Sequence, residues 1–138
     1  MKKLANILVI AVVVMAIFSL NFRFFTTSGS SMEPTYEPGT RLFAHARYRP
    51  LKAGQVVFVQ YNGVYVMKRV AFVAGDDVTE AGFECYWGSP TVPKGYVFVL
   101  GDNPDASFDS RNPKFGLVPV SKVWGLPFDQ RPKAGGNG

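Results

Sequence analysis

The 138 residues include 47% hydrophobic and 14% aromatic side chains and carry a formal charge of +5, which is enough apolar material for one packed domain and too much for a disordered chain. Lys and Arg are scattered singly or in pairs, with Lys2-Lys3 beside an apolar run, so no nucleic acid partner is expected. The single Cys, Cys85, excludes an internal disulfide, and the single His, His45, leaves no zinc or iron ligand set, so neither metal nor cofactor is expected.

From Leu4 to Leu20 the chain reads LANILVIAVVVMAIFSL, apolar except for Asn6 and Ser19, and continues through Phe22, Phe24 and Phe25. That approaches the ~20 residues a helix needs to cross a bilayer. A cleaved signal peptide competes for the same pattern, but the run exceeds its usual apolar core of about 7–15 residues, and no clear small-x-small site follows. An uncleaved anchor over residues 1–25 is therefore expected, with Lys2 and Lys3 in the cytoplasm and the chain after Arg23 outside. Phe22, Phe24, Phe25 and Tyr36 either seat the following domain at the lipid surface or simply terminate the helix.

Directly after the anchor comes SGSSMEPT, Ser28–Thr35. A serine-rich turn alone reads as solvated loop. A reactive serine also needs a base to take its proton and donors to hold the oxyanion.

Short β-rich runs punctuated by Gly and Pro follow: RLFAHARY (41–48), QVVFVQY (55–61), VYVMKRVAFV (64–73) and GYVFVLGD (95–102). Asn62-Gly63 suits a two-residue type I′ turn joining the second and third runs. With no helical period outside the anchor, the remainder is expected to be mainly β. His45 reads as a polar strand residue rather than the base of a triad. Alternation along 64–73 places Val64, Val66, Lys68, Val70 and Phe72 on one face, and Tyr65, Met67, Arg69, Ala71 and Val73 on the other. Lys68 is the polar member of an apolar face. Either its ammonium snorkels to water at the sheet edge, or burial lowers its pKa from about 10.4 until the neutral amine can serve as a general base. Position alone does not choose between these. Further on, Asp102, Asp105 and Asp109 have the residue type of a hard-cation site, but Arg111 is a nearer partner for one of them.

Three stretches, SGSSMEPT, MKRVAFVAGDDV (67–78) and GDNPDASFDSRNPKFGLVP (101–119), follow the apolar segment in that order. Together they closely resemble the type I signal peptidases, membrane-anchored Ser-Lys proteases, from the anchor to about Trp124. The resemblance implies an N-terminal transmembrane helix followed by an antiparallel β-sheet catalytic domain, with Ser31 as nucleophile and Lys68 as general base. Ser107 matches the serine that orients the lysine amine, and Asp109 and Arg111 match a pair that holds the loop. The Ser31 N–H matches one oxyanion donor. The hydroxyl that some members add two residues earlier is missing, since Gly29 stands there as in members of the Gram-positive type. The oxyanion region is then Gly29, Ser30 and Ser31, with no defined role for the Ser30 hydroxyl. Thr40, Ala74 and Pro104 depart from the family's usual Asp, Pro and basic residue, at positions that carry no chemistry. Asp77–Lys94 is short where larger members insert a second β-domain.

The expected organisation is thus an anchor (1–25), a peptidase domain (26–128) and a flexible tail (129–138). The expected activity is cleavage of signal peptides from exported preproteins after small residues, of Ala-x-Ala type, by a single-pass protein with its catalytic domain on the outer side. The partners implied are those preproteins, bound as an added β-strand, and membrane lipid. A specialised processing peptidase of the same class, such as one maturing a conjugation pilin, fits the same residues. A non-catalytic, membrane-tethered peptide-binding β-domain is the alternative from another class.

Overall fold

A computed structural model describes residues 1–46 and 49–135. Helix α1 (Lys2–Asn21) is long and apolar enough to cross a membrane, and none of its residues is buried by the protein. It leads without a linker into β1 (Phe22–Thr26). The other strands are β2 (Arg41–Ala46), β3 (Val56–Tyr61), β4 (Val64–Val73), β5 (Tyr96–Leu100), β6 (Val118–Pro119) and β7 (Val123–Pro127). All join one antiparallel sheet in the order β1-β2-β7-β3-β4-β5-β6.

The four strand-like runs in the sequence become β2 to β5, although the last two residues of RLFAHARY lie outside the described residues. Asn62 and Gly63 adopt φ of 48° and 80° between the paired residues Tyr61 and Val64, as a type I′ hairpin requires. The helix stops earlier than the expected boundary at residue 25. Phe22–Thr26 turns extended and pairs antiparallel with β2 at the edge of the sheet. Phe22 and Phe24 stack on Phe43, while Phe25 stacks on Phe58 at 4.0 Å. Tyr36, a candidate for the lipid surface, is instead 1% exposed, packed with Met32, Leu42, Val56, Phe58 and Met67.

The even alternation expected along β4 holds only as far as Val70. A register shift between Val70 and Phe72 in the pairing with β5 inserts an extra residue. As a result Val73 joins Val66 and Val70 in one cluster, whereas Phe72 packs with Ala71 and Phe98 in another. β7 fills the gap between β2 and β3. The segment after β7 therefore lies near the turn after β1, and residues 129–134 are held there by hydrogen bonds to Thr35, Tyr36, Val56 and Arg69. Over 129–134 this differs from the flexible tail expected for 129–138, of which residues 136–138 lie outside the described residues.

Candidate active site

Ser31 sits half-buried in the turn that follows β1. Its carbonyl accepts a hydrogen bond from the Asn103 N–H at 2.9 Å, which docks the serine turn onto the loop after β5. The approach is close at Gly101. A Cβ there would lie 2.5 Å from the Ser31 carbonyl oxygen and 2.2 Å from Ser107 Oγ, so a side chain at 101 would force the two apart.

Lys68 occupies the middle of β4 opposite Val57 and is only 4% exposed, so its amine does not snorkel. Nζ donates to Ser107 Oγ at 3.1 Å, and Ser107 donates to Asp109 Oδ2 at 2.6 Å. Asp109 is itself 1% exposed, and it also accepts from the Gly101 N–H at 2.9 Å and from Arg111 through Nε at 2.8 Å and Nη2 at 2.6 Å. Ser107, Asp109 and Arg111 thus form one relay under the lysine.

Two opposite pKa responses arise from this packing. Burial pulls the Lys68 pKa below the ordinary lysine value; the Asp109 charge opposes that and Arg111 reinforces it. Burial pushes Asp109 upward, but the bonds from Arg111, the Gly101 N–H and the Ser107 hydroxyl outweigh it and hold the carboxyl below the usual carboxylate range. The charge in the relay therefore rests on Asp109 and Arg111, while Lys68 is biased toward its neutral, proton-accepting form.

Ser31 and Lys68 line the same cavity of about 290 Å³. Phe25 to Gly29 form one flank and Val64 to Lys68 the other, over Met32, Tyr36 and Phe58. Over Val64–Lys68, β4 pairs with β3 on one side, and its pairing with β5 begins only at Arg69. Gly29, at φ +78°, has open space where a side chain would project. His45 lies on β2 with its ring edge-on to Phe128 and does not line this cavity.

A family model described as "Signal peptidase, peptidase S26" matches residues 1–86 and 79–128. The chain belongs to the peptidase S26 family. Signal peptidase I of Bacillus licheniformis is 28% identical over 88% of this chain and 87% of its own length. Signal peptidase I T of Bacillus subtilis (strain 168) is 27% identical, with coverage of 88% and 84%. Mitochondrial inner membrane protease subunit 1 of Schizosaccharomyces pombe (strain 972 / ATCC 24843) is 32% identical, with coverage of 86% and 83%. This S26 peptidase is thus an enzyme of the signal peptidase kind, built as an apolar helix and a mainly β domain.

The sequence reading missed one arrangement of the S26 site. Arg69, next to Lys68, makes a bidentate pair with Asp102 at 2.8 and 2.6 Å, both side chains nearly buried. Its Nη1 donates to the carbonyls of Gly54 and Arg131. Alternation already placed Arg69 opposite Lys68. A buried guanidinium then demands a carboxylate, which was the available signal for Asp102.

Proposed function

We propose that the protein cleaves signal peptides from exported preproteins with Ser31 as nucleophile and Lys68 as general base. The observation that carries this reading is a buried lysine amine, leaning on a serine hydroxyl rather than paired directly with a carboxylate, in the cavity that holds Ser31. Neutral Lys68 takes the Ser31 proton as Oγ attacks the scissile carbonyl carbon. The resulting ammonium returns that proton to the departing amine, and water then releases the acyl group by the same exchange. The Ser31 N–H faces the developing oxyanion. Ser107 accepts from Nζ, leaving the amine lone pair for Ser31. Asp109 and Arg111 hold Ser107 and take no part in proton transfer.

The substrate enters as a strand between the two flanks of the cavity. Alternate side chains of an extended peptide share a face, so the first and third residues before the cut point toward the floor of Met32, Phe58 and Met67. A cavity of about 290 Å³ that also holds backbone leaves room there only for small residues such as Ala. The second residue points away and is unrestricted.

In this reading α1 spans the membrane once, with Lys2 and Lys3 in the cytoplasm and the sheet on the outer side. Phe24 and Phe128, exposed beside the helix end, meet the lipid interface. The deciding experiment is cleavage of an Ala-x-Ala preprotein in liposomes by the intact protein, Ser31→Ala and Lys68→Ala. Cutting after the second Ala by the wild type alone is expected, and cleavage by either variant at the wild-type rate would end the reading.

A further inference from the structure

We propose that the segment Asp129–Ala134, together with Tyr36, is a positioning device for both members of the catalytic pair, a proposal that rests on the Ser31–Lys68 assignment above. The segment grips the serine turn from one side. Tyr36 donates its hydroxyl to the Asp129 carbonyl at 2.5 Å and accepts from the Arg131 N–H at 2.8 Å. Arg131 Nη1 donates to the Thr35 carbonyl at 3.2 Å, the Ala134 N–H donates to Thr35 Oγ1 at 3.2 Å, and the Arg131 guanidinium lies 4.9 Å from the Tyr36 ring centroid. Tyr36 in turn donates its backbone N–H to the Met32 carbonyl, one residue beyond Ser31.

The same segment reaches the lysine side. The Arg131 carbonyl accepts from Arg69 Nη1 at 2.9 Å, and Arg69 follows Lys68 directly on β4. Arg69 holds Asp102, whose neighbour Asn103 donates its N–H to the Ser31 carbonyl. The ring of contacts therefore runs from residue 131 through Tyr36 and Met32 to the serine turn, and back through Arg69, Asp102 and Asn103. Gln130 fixes the segment's own position by a two-way exchange with the Val56 backbone at 2.8 and 2.9 Å.

None of residues 129–134 lines the substrate cavity, so loosening them should disturb the alignment of Ser31 and Lys68 more than the binding of a peptide strand. Tyr36 does line the cavity, but its hydroxyl is bonded to Asp129 and Arg131, so Tyr36→Phe removes the link to the segment and keeps the ring; Tyr36 and residues 129–134 are positioning residues in this sense. The test compares the full chain, a chain ending at Phe128, Tyr36→Phe, a chain ending at Gly135, and Ser31→Ala. Each is assayed on an Ala-x-Ala preprotein in liposomes, well below its own melting midpoint and corrected for folded fraction. The expected result is a kcat about tenfold or more lower for the chain ending at Phe128 and a several-fold lower kcat for Tyr36→Phe. KM should stay within about twofold, and the chain ending at Gly135 should match the full chain. If the chain ending at Phe128 does not fold, Tyr36→Phe decides by the same split. Full kcat in the strap variants, or a loss confined to KM or to the unfolded fraction, overturns the proposal. Ser31→Ala separates the two levels: if it is inactive while the strap variants are fully active, only the strap fails; if it cuts normally, the assignment beneath it fails.

Discussion

Lys68 and Arg69 are adjacent on β4, both nearly buried and on opposite faces of the strand, and the protein treats their charges in opposite ways. Arg69 receives two carboxylate oxygens and two carbonyls, so its charge is fully partnered. Lys68 receives a hydroxyl, with the Asp109 carboxylate one step behind it. A guanidinium stays charged under all ordinary conditions and must be paired when buried, whereas a buried ammonium can give up its proton instead. The contrast suits a structural task for Arg69 and the chemical task proposed for Lys68.

Breaking the contrast from the lysine side has the largest expected effect. Lys68→Arg installs a group that stays protonated, and cleavage should fall by about 10²–10⁴-fold, measured as kcat/KM on a preprotein. From the arginine side, Asp102→Asn leaves Arg69 buried without its counter-charge. Urea unfolding should show a loss on the order of 3–5 kcal/mol.

The pH response sharpens the comparison further. The kcat/KM of the wild type should rise with pH as Lys68 loses its proton, with a midpoint below the ordinary lysine value. In Asp109→Asn the charge that raises the Lys68 pKa is gone while Arg111, which lowers it, remains, so the limb should move to lower pH. Stability follows the same linkage. As pH falls through the unfolded lysine pKa, the unfolded chain gains a proton that the folded chain lacks, and stability drops until pH reaches the lower folded value. The drop is about 1.4 kcal/mol per unit of depression, and Lys68→Met should abolish it in melting curves taken across that window. The smallest effect is expected at Gly29, where Ala meets open space but must hold φ near +78°; a cost of ~1–2 kcal/mol should appear as a lower melting midpoint.

The candidate site residues were legible in the sequence because β4 alternates cleanly up to Lys68 and because SGSSMEPT and the 101–119 stretch are each contiguous. The structure joins Lys68, Ser107, Asp109 and Arg111 in one relay, and places Ser31 in the same cavity as the lysine. β7 was hidden by its own composition: Gly125 and Pro127 read as breakers. Yet a Cβ at 125 would lie 2.0 Å from the His45 carbonyl oxygen, so the strand requires the glycine that disguises it. The bulge in β4 was equally invisible, since its cause is the register of β5 across the sheet. The Arg69–Asp102 pair spans 33 residues of sequence, and only burial reveals that the two must meet.

Gly101 has a further consequence for the freedom of Ser31. With the Ser31 carbonyl held by Asn103 and Gly101 backed directly against it, the peptide plane after Ser31 is restrained from both sides. What remains is rotation about the Cα–Cβ bond. In the proposed mechanism one torsion then swings the oxygen between the lysine amine and the substrate carbonyl, so the timing of proton transfer and attack reduces to the rotamer preference of a single serine.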